Sequence, residues 1–309
     1  MSANVETMFY VRETPWHGLG TQVTEALSSR EALIAAGLDW SVVQKELYTE
    51  NGNHVQGFYA NVRDRDEKIL GVVTNRYRIV QNREAFAFTD DLLGKGVKYE
   101  TAGSLREGRK IWILARLPKA YRLAEDKVTP YLVFSNSHDG SGAIKVAMTP
   151  VRVVCNNTLN LALQRADRIW SANHTGNMES KLEDARMTFF MAENYMNELS
   201  KEADRLSKRL VSDAEVEKYV RMLLPIATDA TETTEKNIRK LREDMKKRYF
   251  YAPDLKDVGK NGYRFINAVS DFATHAKPLR ETANYKENLF LKTMEGNPLI
   301  DKAYQLMVA

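Results

Sequence analysis

The sequence predicts an α+β fold: an antiparallel sheet with β-hairpin-helix units over residues 1–172, then a mostly helical stretch, 173–309, with one long heptad helix. Three observations carry this. Between Ser41 and Leu117, short runs rich in β-branched and aromatic residues alternate with turn clusters, as consecutive hairpins require. Ser171 to Asn177 is a polar break, after which strand-like alternation stops. Beyond it, Leu182, Ala185, Phe189, Ala192, Met196, Leu199, Ala203, Leu206 and Leu210 recur at spacings of three and four, which is a heptad seam.

Taken in order, residues 1–25 read as irregular, with Pro15-Trp16-His17-Gly18-Leu19-Gly20 as a loop. Ser28 or Ser29 caps a short helix, Arg30 to Ala36, which Gly37 ends. Strands follow at Ser41–Thr49, Val55–Arg63 and Lys68–Thr74, turning at Asn51-Gly52-Asn53 and at Asp64 to Glu67. Arg76 to Val80 reads as a further strand leading through Asn82 into a helix, Arg83 to Leu93. Val97–Leu105 and Arg109–Leu117 form a hairpin about Arg106-Glu107-Gly108.

The densest local signal is Thr129 to Trp170. Tyr131 to Phe134 is a strand, and Asp139-Gly140 supplies a reversal. Ile144, Val146 and Met148 alternate with Lys145, Ala147 and Thr149 until Pro150 interrupts them. Val151 to Cys155 resumes the strand, and Asn156 or Asn157 caps a helix with Leu159, Leu163 and Ala166 on one face. Arg78 to Asn82 and Arg152 to Asn156 share one pattern: Arg, two β-branched residues, any residue, Asn. Duplication and coincidence both explain it.

The heptad helix exceeds 30 residues by its repeat count. Its seam packs within its own chain or pairs with another subunit; spacing alone leaves both open. Ser212 to Glu215 is a capping box that starts a helix ending near Pro225. Residues 227–234 read as loop, 235–249 as helix, and Tyr263–His275 and Leu299–Met307 as the last helices.

A chain of 309 residues with net charge +4 permits a local nucleic-acid patch without requiring one. A single cysteine excludes an intrachain disulfide and a four-cysteine zinc site. No run approaches the ~18 apolar residues of a membrane span, and the start has no apolar core of a secretory signal, so a cytoplasmic protein without a membrane partner is expected.

The sequence has no GxxxxGK[ST], HExxH, CxxC or GxSxG motif, and the histidines at 17, 54, 138, 174 and 275 lack metal-ligand spacing. Cys155 reads as a packing residue before a helix, although a helix dipole there would stabilise a thiolate. His138-Asp139 is explained by the turn, with an acid–base pair as its rival, and His17 would have to join them in one cleft for catalysis. The expectation is no enzyme: no catalytic residue, no metal and no cofactor. Basic residues are the stronger candidates. Arg76, Arg78, Lys145 and Arg152 fall on strands expected to be neighbours, Arg109 and Lys110 begin another, and Tyr59, Tyr77 and Tyr131 are available to stack bases. The rival reading is that each arginine sits on a solvated face or pairs with Asp64, Glu67 or Glu84. Lys236 to Arg248 is a second basic patch, diluted by Glu243 and Asp244.

Ser137-His-Asp-Gly-Ser141 and Thr149-Pro-Val-Arg-Val-Val-Cys-Asn-Asn-Thr158 resemble the signature of domain-of-unknown-function family 932, carried by phages and plasmids. Pro15 to Gly20, Tyr77 to Asn82, and Asn267 to Phe272 with His275 are similar to it in the same order, so the resemblance spans nearly the whole chain. It implies a mobile-element origin and transfers no catalytic residue. A looser similarity, of the hairpin–helix plan and helical tail, is to phage single-strand annealing proteins, and it implies an oligomer holding single-stranded DNA in a basic groove. The expected function is therefore a phage or prophage protein that binds single-stranded nucleic acid as a homo-oligomer in annealing or replication. The alternative is a phage-encoded interaction protein that inhibits a host factor or defence system.

Overall fold

The computed structural model describes residues 5–11, 21–25, 27–94, 98–117, 119–124, 126–152, 163, 168–278, 292 and 296–309. Among them the fold is mixed α and β, with two sheets in the amino-terminal half. The strands are β1 (Val5–Val11), β2 (Thr21–Val23), β3 (Val42–Tyr48), β4 (His54–Arg63), β5 (Lys68–Thr74), β6 (Lys98–Leu105), β7 (Lys110–Arg116), β8 (Tyr121–Leu123), β9 (Asp126–Ser137), β10 (Ile144–Arg152) and β11 (Ile169–Ala172). The helices are α1 (Ser29–Ala35), α2 (Asn82–Leu93), α3 (Met178–Lys208), α4 (Asp213–Leu223), α5 (Glu232–Tyr251), α6 (Gly262–His275) and α7 (Pro298–Val308).

The larger sheet runs β11-β10-β9-β7-β6-β1-β2, with β8 beside β9, and the smaller runs β3-β4-β5. Among the described residues these pairings are antiparallel: β1 with β6, β3 with β4, β4 with β5, β6 with β7, β7 with β9, β8 with β9 and β10 with β11; β1 with β2 is parallel. Four of the sequence expectations change. Residues 1–25 are not wholly irregular: β1 pairs with β6, almost a hundred residues away, and on its other side with the short β2. Arg76 to Val80 is no strand but a turn and an extended segment. β10 runs through Pro150 without a break. Helix α5 begins at Glu232, where Thr231 accepts from the Thr234 amide, so the loop read over 227–234 ends early. Cys155, the Asn156–Asn157 cap and the helix expected after them lie outside the described residues.

By compactness the chain divides into two units with interleaved boundaries. One comprises Met1–Pro118, Tyr131–Met148 and Asp167–Ala192, the other Lys119–Pro130, Thr149–Ala166 and Glu193–Ala309.

In the first unit, alternation along β6, β7, β9 and β10 puts Tyr99, Ile111, Ile113, Leu132, Phe134, Ile144 and Val146 into one core, where α2 adds Phe86 and Phe88. Phe88 and Phe134 meet at 5.8 Å between ring centroids. Arg63, only 2 % exposed, anchors β4: Glu6 accepts from its two terminal nitrogens at 2.8 and 2.9 Å, Asp66 accepts at 2.8 and 2.6 Å, and the Trp40 ring lies 5.4 Å away. Such a cation is tolerable in a core only because both carboxylates and the ring face it.

In the second unit, α4, α5, α6 and α7 pack on one another. Ser212 caps α4 in the predicted box with Glu215. Phe265 stands between Tyr219 (5.8 Å) and Tyr249 (6.2 Å). Gly262 lets α6 approach Leu206, where an added Cβ would lie 3.2 Å from that residue's side chain and carbonyl.

Helix α3 is 31 residues long. Along its apolar series Ala185, Met196, Leu199, Ala203 and Leu206 are buried within the single chain, whereas Leu210 lies past the helix and is exposed. No described helix is long and apolar enough to cross a membrane.

Candidate nucleic-acid interface

The segments singled out from sequence, Tyr77–Asn82 and Ser137–Ser141, meet in the first unit. The β9 strand delivers Ser137 to the hairpin tip, where the Tyr77 hydroxyl donates to the Ser137 carbonyl. The Asn136 amide donates to the Val80 carbonyl at 2.9 Å, and the Asn61 amide to the His138 carbonyl at 2.7 Å. Residue 78 and His174 exchange bonds: the Arg78 amide donates to the His174 carbonyl at 2.8 Å, and His174 Nδ1 to the Arg78 carbonyl at 2.8 Å. The Tyr77 and His174 rings stack at 4.5 Å. Tyr77–Val80 thus has its backbone satisfied by side chains and by residue 174, and this is why it is not a strand.

His138 is fully buried against the Trp40 ring (5.3 Å). The Asn82 amide donates to the Leu38 and Trp40 carbonyls, so its oxygen must accept, and His138 Nε2 donates to it at 2.9 Å. That leaves His138 Nδ1 without a hydrogen-bond partner among the described residues. Burial drives the His138 pKa down to about 3, with His174 nearby adding to the effect and Asp139 opposing it. Burial also lowers His174, against the bond to the Arg78 carbonyl. Asp139 is pushed up by burial but held below the usual carboxylate range by hydrogen bonds from Ser137 and Ser141, with Lys110 helping. Asn82, expected as a cap, is a buried cross-brace; Gln81 caps α2 instead, in a box with Glu84.

Close approach fixes this tip. A Cβ on Gly71 would lie 2.6 Å from Asp139 Cα and 2.7 Å from its carbonyl oxygen. Gly71→Ala should therefore push β5 off the hairpin and cost about 3 kcal/mol, read as a lower urea midpoint at unchanged slope. An unchanged midpoint would mean that the tip moves aside freely.

Around the buried knot lie cations. Arg76, Arg78 and Arg109 are exposed and Lys110 half-buried, and none of the four makes an ion pair among the described residues. Their backbones gather at the tip: Arg76 and Arg78 flank Tyr77, the Arg109 carbonyl accepts from the His138 amide at 2.7 Å, and Lys110 is the register partner of Ser137. Lys145 is half-buried on β10 opposite Ser171, just past the same turn. The remaining candidates do not join them. Tyr77 is buried under His174, so its ring is no open stacking platform. Tyr131 sits opposite Arg116, six residues and about 20 Å along β9 from Ser137. Arg152 ends β10 with its side chain outside the described residues, as is His17 entirely. Tyr59 is half-buried on β4.

The second basic patch is different. On α5, Arg239 pairs with Glu235, Lys246 with Glu217 (2.7 Å) and Glu243 (2.6 Å), and Arg248 with Asp244 (3.2 Å) and Asp271 (2.5 Å). Arg242 donates to the Leu224 carbonyl at 2.9 Å. These cations are committed within the fold. Among the described residues no cluster of three or more His, Cys, Asp or Glu side chains is arranged to hold a metal.

No curated protein and no solved structure matches the chain. A family does: the one described as Domain of unknown function (DUF932) matches residues 69–292, a stretch that contains the Tyr77–Asn82 segment, the Ser137–Ser141 tip and His174. Over that span, most of its length, the chain belongs to the DUF932 family.

Proposed function

We propose that the protein is a phage or prophage nucleic-acid-binding protein that binds single-stranded DNA as an oligomer, in recombination by annealing or in replication, within the cytoplasm and without an enzymatic step. The observation that carries this reading is the contrast between two sets of cations. On α5, Arg239, Lys246 and Arg248 are held by neighbouring acids, although the exposed Lys236, Lys240 and Lys247 lie among Glu232, Glu235, Glu243 and Asp244 of the same helix. Arg76, Arg78, Arg109 and Lys110 surround a rigid hairpin tip with no ion pair among the described residues. Cations held on a fixed frame without ion pairs match the spaced charges of a phosphate backbone, which gains affinity by releasing counterions. The mobile-element context rests on the sequence resemblance.

Fluorescence anisotropy of a labelled single-stranded oligonucleotide across a salt series tests this. Both arginines are exposed, so Arg78→Ala with Arg109→Ala should leave circular dichroism unchanged. The double variant should weaken binding and flatten the plot of log affinity against log salt by about 1.4, at ~0.7 per lost phosphate contact. No binding by the native chain at low salt, or an unaltered slope in the variant, would sink the proposal. Binding of a host protein that ignores both DNA and salt would favour the second reading, a phage-encoded inhibitor of a host factor, to which the exposed Val43, Phe58, Ile69 and Val72 lend an apolar contact surface.

A further inference from the structure

The small sheet has two unlike faces. Directly opposed residues in an antiparallel pair share a face. Val43 opposes Val62, Val62 opposes Ile69, Ala60 opposes both Lys45 and Val72, and Phe58 opposes Thr74. These residues therefore form one face, while Val42, Asn61, Arg63, Leu70 and Val73 lie on the other and are buried, with Gln44 and Glu46 at its exposed end. On the first face Val43 is 39 % exposed, Phe58 45 %, Val72 54 % and Ile69 57 %, around the nearly covered Ala60 and Val62. A monomer ordinarily scatters its exposed apolar side chains; gathering four on one strand-supported surface marks a contact site.

We infer that this face binds the same face of a second copy of the chain. The inference rests on the oligomeric part of the reading above, and it names the interface. Two observations select a copy over another occupant. The face is neutral in itself: its one lysine, Lys45, pairs with Glu67 at the rim, so turning the surface onto itself opposes no like charges. An isologous two-fold contact must be self-complementary in this way, whereas a nucleic acid would want exposed cations, which lie instead around the hairpin tip. The other apolar series that could have joined subunits, along α3, is already buried inside the chain at Met196, Leu199, Ala203 and Leu206. Packed face to face, the two three-stranded sheets would form a sandwich about 10 Å thick. The footprint, three strands about 4.8 Å apart and six residues long, is about 300 Å², below the roughly 800 Å² per partner of a stable dimer. Self-association is accordingly weak and concentration-dependent.

Sedimentation equilibrium of the full chain over rising concentration tests this, with Val72→Glu as the variant and Tyr251→Glu, on the exposed end of α5, as the control. The native chain and the control should shift towards twice the monomer mass. Val72→Glu should associate at least about tenfold more weakly, since a carboxylate would have to be buried against apolar residues. If circular dichroism shows that Val72→Glu is misfolded, Phe58→Ser takes its place. A native chain that stays monomeric up to its solubility limit overturns the inference, and so does a folded variant that associates like the native chain. Anisotropy with a short oligonucleotide, run on the same samples, separates the two proposals: loss of DNA binding strikes the nucleic-acid reading alone, a folded variant that still associates strikes the interface alone, and a native chain that stays monomeric yet binds DNA strikes the interface and only the oligomeric part of that reading.

Discussion

Arg264→Ala is expected to unfold the helical unit under conditions the native chain withstands. Arg264 is buried on α6, and its guanidinium serves four carbonyls left over where α5 and the following turn end. It donates to Tyr249 at 2.7 Å, Phe250 at 3.3 Å, Leu255 at 2.7 Å and Val258 at 2.5 Å, with the Tyr249 ring 5.3 Å away. The last carbonyls of a helix have no internal partner, and a fixed cation there both satisfies them and opposes the dipole. Truncation strands these oxygens and opens a cavity beside Tyr249 and Phe265, at a cost of roughly 3–5 kcal/mol. Arg264→Lys should recover less than half, because one ammonium cannot span a fork of four acceptors. Thermal melting by far-UV circular dichroism reads both. A loss below about 1 kcal/mol would mean that water replaces the guanidinium and that α5 and α6 are held by their apolar contacts alone.

Acid should weaken the hairpin knot, and His138 sets the direction. In the unfolded chain its imidazole titrates near the ordinary value of about 6.5. In the fold burial lowers that to about 3, because a proton on Nδ1 would be a charge with no acceptor among the described residues. Between those values the unfolded chain binds a proton that the folded chain refuses, so stability falls as pH drops from about 6.5 towards 3. At about 1.4 kcal/mol per unit the loss is on the order of 4 kcal/mol over the window. His174 acts in the same direction, and Asp139, held low in the fold, adds to the loss below about pH 4. Urea midpoints at pH 7, 5.5 and 4.5 would follow it. His138→Gln keeps an amide donor for Asn82 and removes the titration, so its midpoint should depend less on pH than that of the native chain. Parallel curves for the two proteins would place the acid sensitivity elsewhere.

Much of the local structure is legible in the sequence because it is decided locally. Asn51-Gly52-Asn53, Asp64 to Glu67 and Arg106-Glu107-Gly108 are turns whose residues set their own backbone, and Ser212 with Glu215 specifies its helix start within four residues. The basic positions at 76, 78, 109 and 110 are gathered at one tip, but the frame that gathers them is illegible. Tyr77 to Val80 has strand-forming residues, yet Asn136, Ser137 and His174 take its hydrogen bonds from up to a hundred residues away. Propensity cannot register such partners. The same distance hides β1, which pairs with β6, and hides the tenants of the heptad series on α3, whose spacing is compatible with an internal or an external partner. The apolar face of the small sheet had a signal: Val43, Phe58, Ile69 and Val72 alternate with residues that are also apolar, and the sequence alone does not say which set is inside.

The interleaving of the two units bears on how the chain is made. Synthesis delivers β6, β7 and β9 well before β11, and β11 before Met178, Leu182 and Ala185, which the first core also incorporates. The first unit is therefore not completed when its last β-hairpin leaves the ribosome. It waits for residues beyond 180, holding apolar strands with open edges while the rest is translated. A nascent chain of this design is expected to be prone to aggregation through that interval, and a chain cut short between residues 150 and 180 is expected to carry an unfinished sheet rather than a smaller folded unit.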